Sequence, residues 1–166
     1  MLGPVPYVIR PATADDHAAI WTLLEPVIRA GETYALPRDM TRDEALGFWM
    51  APGNDAFVAD DGGVLVGTYF LHANQRGGGS HVANCGYVTA GHATGRGVAR
   101  AMCSHSLDHA RCRGFRAMQY NCVVSTNERA VRLWQDMGFA IVGRLPGAFA
   151  HPTLGDVDAF VMYQRL

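Results

Sequence analysis

The sequence predicts a mixed α/β fold, a single sheet carrying helices on both faces. Three observations carry this. Strand-like apolar runs alternate with stretches of helical spacing along most of the chain. A glycine-bearing turn, Thr94-Gly-Arg-Gly97, runs from a strand-like segment directly into an apolar-periodic helix. The chain then closes on two β-rich runs.

Tyr7 to Arg10 reads as a short first strand. From Asp15 onward Ala18, Ile20, Leu23, Leu24, Val27 and Ile28 fall at helical spacing, ending near Gly31. Thr41-Arg-Asp-Glu44 has capping-box spacing and opens a short helix through Phe48 and Trp49. Phe57 to Ala59 and Val64 to Leu71 are strands joined across the hairpin turn Asp60-Asp-Gly-Gly63. A second turn, Gln75 to Ser80, leads to the strand His81 to Thr89. A helix follows from about Val98 to Arg111, then a strand from Phe115 to Val124. Ser125 and Glu128 again have capping-box spacing, and Gly138 suits a helix end. Phe139 to Gly143 and Val157 to Tyr163 are the closing strands. Pro146 to Asp156, with two Pro and two Gly, is expected to be a surface loop near the active face.

With 166 residues, no repeat and no linker composition, the chain is expected to form one domain, residues 1–166. Hydrophobic content of 49% against 17% charged residues is that of a globular protein. A net charge of −1 offers no basic field, so neither nucleic acid nor an anionic membrane is expected as a partner. No apolar run is long enough for a membrane span, and the N-terminus lacks the pattern of a secretory leader. Cys85, Cys103, Cys112 and Cys122 have no CxxC pairing, and three sit within apolar stretches, which reads as reduced, packed thiols of a cytoplasmic protein and gives no metal site.

The Gly95–Arg100 turn carries the chemistry. Glycines let several main-chain N–H groups converge, and the following helix adds its unpaired N-terminal donors and the positive end of its dipole. That is a phosphate cradle without a P-loop lysine, although the same turn also serves as a plain βα connection. Downstream, Asn127, Ala130, Leu133, Trp134, Gly138 and Phe139 fall on and after a second helix. The two stretches together resemble the paired motifs of the GNAT acetyltransferase superfamily, Q/R-x-x-G-x-G/A and N-x-x-A-x-x-L-Y/W-x-x-x-G-F.

The resemblance implies a mostly antiparallel sheet that splays open between two parallel strands, with acetyl-CoA in the gap. It implies that Val88 and Thr89 pair with the pantetheine, that an N–H near Val88 receives the acetyl oxygen, and that Gly95, Arg96, Gly97, Val98, Ala99 and Arg100 take the pyrophosphate. Asn127 and Trp134 would line the cofactor from the second helix. It also implies transfer to an amine and a tendency to dimerise, with the apolar C-terminal strand available to pair across a homodimer.

This sequence departs from the pattern at three places. Thr94 stands where Arg or Gln is usual. Trp134 stands where many members have a Tyr placed to protonate the leaving thiolate; an indole N–H does not titrate near neutrality. No Asp or Glu occurs between Asp61 and Asp108, so the strand before the turn lacks the usual carboxylate base. His81 is the candidate base, with proton loss to water as the competitor and Tyr120 as a remote acid. Asn84 and Asn121, inside otherwise apolar strands, are the candidate substrate ligands, because paired carboxamides recognise a small amino acid without net charge. The tracts Gly67 to Tyr87 and Gly143 to Pro152 resemble a branch that includes acetyltransferases for proline analogues such as azetidine-2-carboxylate. The expected function is therefore N-acetylation of a small-molecule amine, an amino acid or proline analogue. A non-catalytic acyl-CoA sensor and a protein N-terminal acetyltransferase are the alternatives.

Overall fold

The strand-like segments become the seven strands of one sheet. The computed structural model describes residues 7–166; residues 1–6, on which part of the N-terminal reading and of the one-domain span falls, lie outside the described residues. Strands β1 (Val8–Pro11), β2 (Asp55–Asp61), β3 (Val64–Ala73), β4 (Val82–Thr89), β5 (Ala117–Val124), β6 (Ala140–His151) and β7 (Gly155–Arg165) lie in the order β1-β2-β3-β4-β5-β7-β6. All neighbours are antiparallel except β4 and β5. That parallel pair is registered only at Val82–Ala117 and Ala83–Met118, after which the two strands part.

Alternation along β3 sorts the helices α1 (His17–Ala30), α2 (Arg42–Trp49), α3 (Val98–Cys112) and α4 (Glu128–Asp136) between the two faces. Even-numbered Thr68 and Phe70 meet α2: the indole of Trp49 donates to Thr68 Oγ1 at 3.0 Å and packs edge-on against Phe70. Thr68 Oγ1 in turn donates to the Phe57 carbonyl at 2.8 Å, so this fully buried hydroxyl is satisfied on both sides. Odd-numbered Gly67 and Tyr69 meet α3. A side chain at Gly67 would come within 2.8–2.9 Å of Met102 and Val98, so glycine here lets α3 lie close on the sheet. Tyr69 Oη bonds His105 Nδ1 at 2.7 Å. Ile20, Trp49, Met102, Met118 and Met162 are fully buried on these faces, and each such side chain contributes roughly 1.5–3 kcal/mol of burial.

The capping box of α2 forms as read, with Glu44 N donating to Thr41 Oγ1 and Thr41 N to Glu44 Oε2. Three readings need correction. α4 is capped by Asn127, whose Oδ1 accepts from Ala130 N, and not by Ser125. The expected loop from Pro146 to Asp156 is mostly strand: β6 runs on to His151, turns, and β7 begins at Gly155. Pro146 is tolerated because β6 is an edge strand, bulged between Leu145 and Phe149, where Gly147 N donates to Asp158 Oδ1 at 2.9 Å. The C-terminal strand cannot pair across a dimer, because both edges of β7 are already taken by β5 and β6; the free edges of the sheet belong to β1 and β6.

Candidate active site

The parting of β4 and β5 opens a cleft of roughly 840 Å³ that passes through the sheet. One half lies on the α3–α4 face and reaches the Gly95–Gly97 turn. The other lies on the α1–α2 face, walled by Tyr34, Leu36, Phe48 and Phe70.

At the first half, Gly97 caps α3 in the left-handed conformation (φ 82°), which only glycine adopts without strain. The first intrahelical bond is Ala101 N to Gly97 O, so the amides of Val98, Ala99 and Arg100 have no acceptor within the helix. With the helix dipole they form a site for an anion. Gly95, Gly97, Val98, Ala99 and Arg100 line the cleft together with Val88, Thr89, Asn127 and Trp134. Arg96 does not. Its guanidinium pairs with Asp61 at 2.9 Å and lies over the Tyr7 ring, its carbonyl accepts from Tyr7 Oη, and its amide donates to Ala93 O. Arg100 lines the cleft but is paired with Asp136 at 2.9 Å.

Main-chain alternation decides which groups of β4 face the gap. His81 O accepts from Arg116 N on the β5 side, whereas Val82 O accepts from Asn74 N and Ala90 N donates to Val66 O on the β3 side. Odd-numbered Cys85, Tyr87 and Thr89 therefore aim their N–H and C=O groups into the gap. The donor expected near Val88 belongs to Tyr87 or Thr89, since the main chain of Val88 points to β3. The Tyr87 carbonyl is already held by Tyr34 Oη at 2.9 Å.

On the α3–α4 face Trp134 is buried against Tyr87 and Tyr120, with ring centroids 5.0 and 5.1 Å away. Tyr87 Oη bonds Tyr120 Oη at 2.9 Å and Ser106 Oγ at 2.7 Å. Burial pushes both phenols well above their ordinary value, so they remain protonated at neutral pH. Buried Cys103 borders this network, and burial raises its thiol to about 11.

On the opposite face the cleft carries carboxamides. Asn84 spans the gap: Nδ2 donates to the Gln119 carbonyl on β5 at 2.9 Å, and Oδ1 lies 3.1 Å from His72 Nε2 on β3. Asn121, exposed in the cleft, accepts from Gln119 Nε2 at 2.9 Å and donates to Asn74 Oδ1 at 2.7 Å. A bulge between Tyr120 and Val123 presents Asn121 and Cys122 to the cleft. Each carboxamide nitrogen keeps one further N–H. Asn84 and Asn121 thus line the same cleft without bonding one another. His81 does not join them; it sits in the turn before β4, where β4 and β5 are still paired. The imidazole at this face is His72, one hydrogen bond behind Asn84. Its place opposite Asn84 in the β3–β4 ladder could be found only from the register.

No Asp, Glu or Lys lines the cleft among the described residues, and no group of three His, Cys, Asp or Glu converges as for a metal. The arrangement is a channel with an anion site at one end, an uncharged chamber at the other, and main-chain donors between.

The family model for acetyltransferases of the GNAT family matches residues 16–139, which include both the β4–β5 gap and the glycine turn. The chain belongs to the GNAT acetyltransferase family. GNAT enzymes transfer an acyl group from acetyl-CoA to an amine. The through-sheet cleft and bare α3 amides of this chain suit that cofactor. A GCN5-related N-acetyltransferase from Kribbella flavida is 41% identical, with a TM-score of 0.93 over 97% of this chain and 98% of its own. N-acetyltransferase aca1 of Schizosaccharomyces pombe is 28% identical over 153 residues, 81% of this chain and 72% of the relative. The Salmonella typhimurium protein yncA, solved with its cofactor acetyl-CoA, shares the fold at 22% identity, with a TM-score of 0.85 over 96% and 94% of the two chains.

Proposed function

We propose that this GNAT enzyme acetylates the amine of a small amino acid or cyclic imino acid, the class to which proline analogues belong. The observation that carries this is the chamber on the α1–α2 face, apolar at Leu36, Phe48 and Phe70, amide-lined at Asn84 and Asn121, and without a carboxylate. A polyamine would need acidic side chains to replace the water around its charges, and none lines the cleft. A small zwitterion suits it better: carboxamide N–H groups donate to its carboxylate while its apolar body meets the phenyl rings.

The cofactor lies in the gap with its diphosphate on the amides of Val98, Ala99 and Arg100. The pantetheine follows β4 past Thr89 and Val88. The acyl oxygen receives an N–H from Tyr87 or Thr89. The acceptor amine loses its proton to water before docking, because no carboxylate lines the cleft among the described residues. Trp134 packs the thiol end and donates no proton. The sulfur, whose thiol has a pKa of roughly 8.5, leaves as the thiolate, and the proton that the nitrogen sheds on becoming an amide passes to it or to water.

The test is a product screen. Pooled proline analogues, amino acids and polyamines are incubated with acetyl-CoA and the acetylated products are read by mass spectrometry. Products confined to small amino or imino acids support the reading, and acetylated polyamines contradict it. Binding of acetyl-CoA with no product from any amine would favour a sensor, the reading that Trp134 in place of a tyrosine would then explain.

A further inference from the structure

Four arginines surround the glycine turn, and the chain contains no lysine, so any permanently cationic side chain reaching an anion there is a guanidinium. Three of the four are neutralised. Arg96 pairs with Asp61, Arg100 with Asp136 at 2.9 Å, and Arg132 with Glu128 at 3.1 Å. Arg129, in the first turn of α4, has no acidic partner and no hydrogen bond among the described residues. Its guanidinium lies over the turn: a Cβ at Gly95 would stand 3.1 Å from Arg129 Nη2. It also borders both the through-sheet cleft and a shallow depression shared with Arg100, Arg132 and Asp136.

We propose that Arg129 is the cationic ligand of the cofactor's diphosphate, replacing from α4 the side-chain contact that Thr94 cannot supply. The inference rests on the cofactor reading above and assigns a residue to it. The turn brings main-chain donors, and Arg129 closes over them with a planar fork that matches two phosphate oxygens. Gly95 is part of the same device: its backbone is left-handed (φ 84°), and a Cβ there would crowd the guanidinium at 3.1 Å. The cofactor also carries a 3′-phosphate, a second anion within the same ligand.

The experiment measures binding of acetyl-CoA, acetyl-3′-dephospho-CoA and acetyl-pantetheine to the wild-type chain, Arg129→Gln, Arg129→Lys and Arg132→Gln. Arg129→Gln is expected to weaken acetyl-CoA and the dephospho analogue equally, by roughly 10- to 100-fold, and to leave acetyl-pantetheine unchanged. Arg129→Lys should recover part of the loss. Arg132→Gln removes an equal charge from the same helix and should shift binding by less than about three-fold. Loss confined to acetyl-CoA would assign Arg129 to the 3′-phosphate and overturn the proposal. Equal losses in Arg129→Gln and Arg132→Gln would reduce it to a general field effect and also overturn it. Unaltered binding in Arg129→Gln overturns the proposal alone, whereas a wild-type chain that binds none of the phosphorylated ligands overturns the cofactor reading as well. Arg129 is exposed, and unchanged thermal unfolding of the variant separates binding from folding.

Discussion

The carboxamide of Asn84 donates to the main-chain carbonyl of Gln119 across the place where β4 and β5 stop pairing, at 2.9 Å. A side chain thus supplies the first bond that the parted ladder lacks. The same side chain lines the acceptor chamber. Asn84→Ala should raise the KM for the amine at least several-fold and lower stability by about 1–2 kcal/mol. Asn121→Ala, at an exposed site, should raise the same KM with a stability change within about 0.5 kcal/mol. Steady-state kinetics with denaturant titration check both. If either variant chiefly loses acetyl-CoA affinity, the division of the cleft into two halves is wrong.

Gly97 combines a left-handed backbone with open space at its Cβ position. Gly97→Glu should therefore act through strain and charge and not through a clash. It places a carboxylate beside the amides assigned to a diphosphate, and acetyl-CoA binding should weaken roughly 100-fold. Calorimetric titration that returned wild-type affinity would remove the anion site from the account.

Trp134 packs with Tyr87 and Tyr120, and its indole has no proton to give near neutrality. Trp134→Phe should lower stability by about 1–2 kcal/mol through lost packing, with kcat reduced less than about ten-fold. A kcat loss near a thousand-fold with an intact fold would mean that the indole N–H contributes directly to transfer.

Away from the site, Arg10 and Asp16 brace β1 against the start of α1. Hydrogen bonds from the Arg10 guanidinium, helped by Thr13, hold the Asp16 carboxyl at about 2. Because the folded value lies below the unfolded one, this stabilisation is complete above about pH 4 and fades as the pH falls toward 2. Asp16→Asn should be less stable at pH 7 by about 2 kcal/mol, and the urea midpoints of the two proteins should converge in acid. Curves that stay parallel down to pH 2 would show that the pair contributes nothing pH-dependent.

Local chemistry made much of this legible in the sequence. The Thr41–Glu44 box, the α3 periodicity and the glycine turn are set by neighbours a few residues apart, and each forms where it was read. Long-range pairing was not legible. Pro146 and Gly147 carry loop signals, yet the β6–β7 ladder absorbs them in a bulge on an edge strand. Arg96 sits in the phosphate motif, but Asp61 and Tyr7, distant in sequence, draw it away. Arg129 carries no motif letter of its own, and only the packing of α4 over Gly95 brings it to the turn. His72 meets Asn84 solely through the β3–β4 register.

A crystal structure with coenzyme A tests the central claim most directly. The diphosphate should lie on the amides of Val98, Ala99 and Arg100 beneath Arg129, with the pantetheine between β4 and β5 and the sulfur beside Trp134. Coenzyme A bound elsewhere, or β4 and β5 paired along their full length, would contradict it.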